Sequence, residues 1–350
     1  MSFSVRIVPS GKTFEVDAET TILQAALDQG VVLPYGCRNG ACGSCKSRLV
    51  AGTLEQDAHQ AGALSDDEVR RGYALLCCAR ATSDLTIEAR VVSAVGDIPV
   101  RKMPCRVKAI ERLTSDVAVV QLQLPGSERM QYLAGQYVDL LLRDGARRSY
   151  SMATAPDRVD GVELHIRHMP GGRFTDSLFG LSEPPLKVRD ILRLEGPLGT
   201  FFLREDSDRP ILLIASGTGF APIKAIIERI EGLQSSNGFT RPIVLYWGGR
   251  RPQDLYMHDL CLDWAGRLAG FQYVPVISEA LPEDGWAGRT GFVHRAAMED
   301  WPDMSTMQVY ACGAPIVVDS SRRDFVADCG LPEAEFFADT FTSEADLAAS

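Results

Sequence analysis

Short runs of alternating apolar and polar residues open the chain. "SVRIVPSGKTFEV" (4–16) predicts two strands around a Ser10-Gly11 turn. "ETTILQAALDQG" (19–30) predicts a short helix with a threonine cap and Gly30 as its stop. "CKSRLVAGTL" and "DLTIEAR" predict further strands. "SAVGDIPVRKMPC" (93–105) breaks the pattern as a linker would. Five strand-like runs then follow: "CRVKAIERL", "VAVVQLQL", "GQYVDLLL", "VELHIRHM" and "ILRLEGPLG". Their spacing and turns suggest a small antiparallel barrel. The period changes in "RPILLIASGTGFAPIKAIIERIEG". An apolar strand from Ile211 to Ala215 runs into Gly217, Thr218 and Gly219, and a helix is expected to start at Pro222. Ile223, Ile226, Ile227 and Ile230 fall on one face of that helix.

Composition narrows the possibilities. The 350 residues suffice for two or three domains, and 45% of them are apolar, which excludes global disorder. A formal charge of −10 argues against binding a nucleic-acid backbone, which needs clustered lysine and arginine. The opening strand pattern is not that of a signal peptide, and no apolar run approaches the ~20 residues of a membrane span. A cytoplasmic protein with no membrane or nucleic-acid partner is expected. In that compartment clustered cysteines point to metal or redox chemistry rather than to disulfides.

Four of the nine cysteines are clustered: Cys37, Cys42 and Cys45 in a glycine-rich loop, and Cys77 further on. The C-x4-C-x2-C spacing with a distant fourth thiol is that of a plant-type two-iron, two-sulfide cluster. Gly36, Gly40 and Gly43 would let backbone N–H groups turn toward sulfur. A structural zinc site would more often show paired C-x2-C knuckles, and a thioredoxin-like pair at Cys42 and Cys45 would leave Cys37 unexplained. A Rieske centre needs two histidine ligands that this pattern lacks. Cys78, Cys105, Cys261 and Cys329 read as buried packing residues.

The glycine turn between strand and helix reads as a dinucleotide pyrophosphate site, although G-T-G-F-A-P departs from G-x-G-x-x-G. "PIVLYWGGRRPQDLY" supplies a second strand end, with Arg250 and Asp254 where an adenosine ribose would lie.

Residues 1–94 resemble plant-type ferredoxins along their whole length. The rest resembles the ferredoxin–NADP reductase superfamily. "RRSYSMAT" matches its R-x-Y-S/T signature, "HIRHMPGGRFT" its second phosphate loop, and "VYACGAPIVV" its C-G-x-P motif. "GPLGT" and "ADTF" point to the reductase components that serve Rieske-type aromatic-ring oxygenases. The resemblance implies FAD held by Arg148, Tyr150, Ser151, His165, Arg167, Gly172, Arg173 and Thr175, with the helix after the loop starting at Thr175 and Phe341 near the ring. It implies NADH held by Gly217, Thr218, Gly219, Pro222, Arg250, Asp254, Cys312 and Gly313. Ser151 and Cys312 would flank the reacting atoms, Cys312 acting by position and not as a nucleophile. Phe336 and Phe337 read as core, and the residues from Glu344 as a frayed end.

The implied fold class is multidomain. An α+β β-grasp ferredoxin (1–94) and a linker (95–103) lead to an antiparallel β-barrel flavin domain (104–206) and an α/β Rossmann-like NAD domain with a tail (207–350). The implied activity is electron transfer from NADH through FAD and the [2Fe-2S] cluster to the terminal component of an oxygenase, by a monomer. A deoxysugar dehydratase as acceptor is the alternative, and a non-catalytic electron carrier the third reading. The loop rim at Tyr35, Arg38 and Asn39 is the expected electron exit.

Overall fold

The computed structural model describes residues 2–93, 98–126, 130–156 and 161–341. The end expected to fray lies outside them, as do residues 95–97 of the expected linker. The part of the linker that is described already includes the start of a strand, because β8 begins at Arg101.

The first domain contains β1 (Ser2–Val8), β2 (Thr13–Asp17), α1 (Ile22–Asp28), β3 (Lys46–Ala51), β4 (Leu54–Gln56), α2 (Asp66–Arg70), β5 (Tyr73–Leu75), β6 (Ala79–Ala81) and β7 (Leu85–Glu88). Among the described residues its main sheet runs β2-β1-β7-β3-β5, with β1 and β7 parallel. Thr21 caps α1 through Gln24 N–H, and Gly30 ends the turn with a φ of 72°. The sheet and α1 enclose a core built around Val5, Ile7, Ile22, Leu23 and Ile87. Helix α2 was not anticipated. Its signal, Ser65-x-x-Glu68, is a capping box in which each side chain bonds the other's backbone N–H.

The barrel contains β8 (Arg101–Arg112), β9 (Val117–Gln123), β10 (Tyr137–Leu141), β11 (Arg147–Ser151), β12 (Gly161–Arg167), α3 (Arg173–Leu178) and β13 (Ile191–Leu198). Its strand order among the described residues is β11-β10-β13-β8-β9-β12, antiparallel throughout, and a Met152–Leu164 bridge joins the two ends. Val107, Val120, Val138, Leu164 and Ile166 alternate inward with period two and fill it.

The last domain contains β14 (Ile211–Ser216), α4 (Phe220–Asn237), β15 (Ile243–Gly249), α5 (His258–Arg267), β16 (Phe271–Ile277), β17 (Arg289–Thr290), α6 (Val293–Asp300), β18 (Gln308–Gly313), α7 (Pro315–Asp328) and β19 (Phe336–Thr340). The sheet is parallel with order β17-β16-β15-β14-β18-β19 among the described residues. Strand order reverses between β14 and β18, so a ligand crevice is expected at their C-terminal ends. Helix α4 begins two residues before the expected Pro222, because Phe220 is buried and stacks on Trp247 with ring centroids 3.9 Å apart. Ile223, Ile226, Ile227 and Ile230 are fully buried, each contributing about 1.5–3 kcal/mol.

Candidate redox site

The loop that follows α1 brings its cysteines together by turning backbone N–H groups inward. The N–H groups of Ala41 and Cys42 donate to Cys37 Sγ at 3.3 Å. Those of Cys37 and Ser44 donate to Cys42 Sγ at 3.4 and 3.5 Å. Gly40 and Gly43 have φ of 77° and 70°, the left-handed turns that this inward aim requires. Gly36 serves space instead: a Cβ there would lie 3.0 Å from Asp339 Oδ1 and 3.3 Å from Cys42 Sγ. Cys37 and Cys42 share one proton: their hydrogen bond lowers the Cys42 thiol and raises that of Cys37. The thiols interact in two pairs, Cys37 with Cys42 and Cys45 with Cys77. Among the described residues no three side chains close on a single metal ion. Four thiols in two pairs supply the donor set of a dinuclear cluster, two thiolates per iron. Cys42, Cys45 and Cys77 are buried and Cys37 is half-buried.

The expected exit rim is partly covered. Tyr35 is buried and its backbone bonds Thr200 in both directions: its N–H donates to Thr200 Oγ1 at 2.8 Å, and its carbonyl accepts from Thr200 N–H at 3.0 Å. Arg38 donates to Asp139 on β10 at 2.8 Å. This face of the loop is turned toward the flavin barrel. The opposite face meets the last domain, where Ser44 Oγ donates to Ala338 O at 2.9 Å and Arg322 on α7 reaches Cys42 O at 3.4 Å.

In the barrel, β11 places Arg148, Tyr150 and Ser151 in sequence beside β10. Tyr150 lies 5.8 Å from Phe174, leaving an aromatic wall. Thr340 Oγ1 at the end of β19 is buried with no hydrogen-bond partner, and the buried Ser151 Oγ faces the Asp339 carboxyl. Buried hydroxyls facing the junction of barrel and tail suit a polar ring. Asp339, also buried there, is pushed up to about 7, first by burial and then by the charge of Cys42. Phe341 follows it, its N–H bonded to Gly313 O at 2.9 Å. Phe336 and Phe337 pack in the core as expected, Phe337 against Tyr310.

Three expected flavin contacts are committed elsewhere. The His165 ring is buried, bonded through Nδ1 to Tyr256 OH at 2.8 Å and through Nε2 to Glu163 at 3.0 Å, so it braces two domains. Thr175 does not open α3. The helix starts at Arg173 with Gly172 as its cap, and the Thr175 hydroxyl donates to Met169 O at 2.9 Å. Arg173 is exposed and pairs with Asp144. Arg167, expected to hold FAD, lies instead beside the nucleotide loop: its guanidinium is 3.4 Å from where a Cβ of Gly217 would sit, Nε and Nη2 make no hydrogen bond, and Nε pairs with Asp116 at 3.4 Å.

That glycine begins the nucleotide crevice. Strands β14 and β18 approach so closely at their ends that a Cβ on Gly219 would lie 2.2 Å from Cys312 O, and one on Gly313 2.1 Å from Ser216 Oγ. Thr218 sits between the two glycines of the turn, and Pro222 lies in the first turn of α4. Cys312 is fully buried, and burial pushes its thiol well above its ordinary value, so it is neutral. It shapes the crevice and is no nucleophile. Asp254 accepts the backbone N–H groups of Arg250 and Arg251 at 2.8 and 3.1 Å. Arg251 is held by Asp284 through two hydrogen bonds, whereas the Arg250 head is exposed.

One interdomain polar cluster escaped sequence reading. Lys224 on α4 bonds Ala153 O at 3.0 Å and Glu228 at 2.7 Å, and pairs with Glu163 at 3.2 Å, while Glu228 accepts Ala155 N–H at 3.0 Å. No local motif marks residues that meet across seventy positions.

Three family matches fall in the same order along the chain. Residues 5–82 match the 2Fe-2S iron-sulfur cluster binding domain, 104–203 the oxidoreductase FAD-binding domain, and 213–323 the oxidoreductase NAD-binding domain. A CDP-6-deoxy-L-threo-D-glycero-4-hexulose-3-dehydrase reductase of Yersinia pestis is 40% identical over 97% of this chain and 99% of its own length. Reductase component 1 of a Comamonas terephthalate 1,2-dioxygenase is 33% identical, covering 98% of each. A crystal structure of an Amycolatopsis cytochrome P450 reductase superposes with a TM-score of 0.74 at 31% identity, over 97% of this chain and 99% of that one. With its thiol loop, flavin strand pair and nucleotide crevice joined in one chain, the protein belongs to the NADH-dependent flavin and iron–sulfur reductases of the ferredoxin–NADP reductase superfamily, those with an N-terminal plant-type ferredoxin domain.

Proposed function

We propose that this chain carries electrons from NADH to the terminal component of a multicomponent oxygenase, acting as a cytoplasmic monomer. The observation that carries the order of events is the double contact of the thiol loop. It lies against β10 on one side and against β19 and α7 on the other, which supports electron passage from a flavin on the barrel directly to the cysteines. A bound flavin supplies the conversion of a two-electron hydride into single electrons, and a bound cluster stores one electron at a time. The protein's residues bind and orient. Gly217, Thr218, Gly219 and Arg167 would hold the NADH pyrophosphate, and exposed Arg250 its ribose end. Arg148 and the Gly172 turn would hold the FAD phosphates. Tyr150 and Phe341 would bracket the flavin ring, with Ser151 at its reacting edge and Cys312 beside the nicotinamide. Cys37, Cys42, Cys45 and Cys77 would hold the irons. Among the described residues no helix is long and apolar enough to cross a membrane.

A second acceptor has a specific observation in its favour. The Yersinia relative serves a hexulose dehydrase and is more similar to this chain than the dioxygenase reductase is. Reconstitution separates the two readings. NADH-driven reduction of a Rieske oxygenase, with a deoxysugar dehydratase left unreduced, supports the first; the reverse result replaces it. Anaerobic NADH that bleaches the flavin without a rhombic two-iron resonance would overturn the relay itself.

A further inference from the structure

We infer that Asp139 is a positioning residue for the iron–sulfur loop, fixing through Arg38 the spacing between Cys37 and the flavin strand pair. The inference rests on the relay proposed above and adds a part that no cofactor motif contains.

The geometry is periodic. Tyr137 and Asp139 are two apart on β10 and point to one face. Their partners in the loop are also two apart: Tyr137 OH donates to Gly36 O at 3.0 Å, and Asp139 accepts from Arg38 at 2.8 Å. These contacts enclose Cys37 from both sides in sequence. Directly opposite on β11 stand Ser151 against Tyr137 and Ser149 against Asp139. Cross-strand partners share a face. The strand pair that presents Ser151 to the flavin therefore also grips the cluster loop.

Asp139 is built for this task. It is 1% exposed and its carboxylate is met by donors from both domains: Arg38, Ser149 Oγ at 2.6 Å and Arg147 at 3.4 Å. A buried carboxylate needs such partners, and a rigid strand offers them without freedom to slide. Arg38 shows the reaction to that grip. Its φ is 57°, and only Arg189 shares a positive φ among the non-glycine residues described. A side chain with a Cβ takes up that conformation only where its surroundings over-determine it.

The overall step balances simply. One NADH yields NAD⁺, one proton and two electrons, one for each of two oxidised clusters. In the arrangement proposed above Ser151 and Cys312 would flank the reacting atoms of hydride transfer, and Asp139 would touch neither nicotinamide nor flavin. The clamp should therefore affect only the second transfer.

The test uses holoprotein carrying Asp139→Asn, compared with wild type. NADH–ferricyanide activity, drawn from the flavin, should be unchanged. NADH–cytochrome c activity, drawn through the cluster, should fall severalfold. Iron content and the cluster resonance should be retained, while amide hydrogen exchange quickens in residues 36–45. Tyr137→Phe removes one grip without stranding a charge, and should show the same split more weakly if the first variant folds poorly. Equal cytochrome c rates in wild type and both variants, or a parallel fall in both activities, would overturn the clamp. A wild-type cluster that NADH never reduces would overturn clamp and relay together.

Discussion

The ammonium of Lys224, on the helix that follows the nucleotide loop, hydrogen-bonds the carbonyl of Ala153 at 3.0 Å, two residues beyond Ser151 on the flavin barrel. One buried side chain thus ties the hydride donor's domain to the hydride acceptor's strand. Lys224→Ala leaves Glu163 and Glu228 buried without their cation. Removing one partner of such a cluster costs about 3 kcal/mol or more. The melting temperature should drop, and stopped-flow flavin reduction by NADH should slow. An unchanged melting curve would show that the cluster is solvated.

The same cluster sets a pH dependence. Burial holds the His165 ring neutral, below its ordinary value of 6.5. Burial pushes the Glu163 carboxyl up, but the hydrogen bond from His165 and the charge of Lys224 outweigh it and hold it at about 2, against an ordinary 4.5. Both shifts are downward, so in both cases the unfolded chain takes up protons first as pH falls. His165 contributes fully above pH 6.5 and less below it. Glu163 contributes above 4.5 and loses that contribution toward 2. Thermal melts between pH 7.5 and 5 should therefore show stability declining with acid, and His165→Asn should flatten that decline. Equal slopes would remove His165 from the account.

Cys77→Ser should keep NADH–ferricyanide activity and lose the cluster resonance and cytochrome c reduction. Its neighbour Cys78 lies 3.5 Å away, sulfur to sulfur, yet its thiol is directed at Gly40. Cys78→Ala should therefore leave the resonance in place. Loss of both activities in Cys77→Ser would break the division between flavin and cluster.

Gly219→Ala places a Cβ against the Cys312 carbonyl, a backbone atom that cannot rotate away. The nucleotide loop must shift. The KM for NADH should rise tenfold or more while FAD and iron contents, and reduction by dithionite, stay normal. Loss of bound FAD in this variant would mean that the loop supports the barrel as well.

What could be read from the sequence had short-range causes. Cysteine spacing, the strand–glycine–helix signal and the isoleucine face of α4 depend on neighbours a few positions apart, and so do barrel strands with period two. The Ser65–Glu68 capping box was equally local and was overlooked. Asp139, Thr200, Arg322 and Asp339 could not be found this way. Their partners at Arg38, Tyr35, Cys42 and Gly36 lie one hundred to three hundred positions away. For the same reason the loop rim read as open surface: the residues that cover it belong to other domains. His165 and Thr175 matched a cofactor motif by position, while a hydrogen bond from another domain had engaged the first and the local Met169–Gly172 turn the second.

Phe202, just past the last barrel strand, is buried in the ferredoxin core beside the residues that surround the cysteine loop. A ribosome releases the first domain some hundred residues before that ring exists. The nascent ferredoxin domain therefore waits with a gap in its interior and with both faces of its thiol loop uncovered.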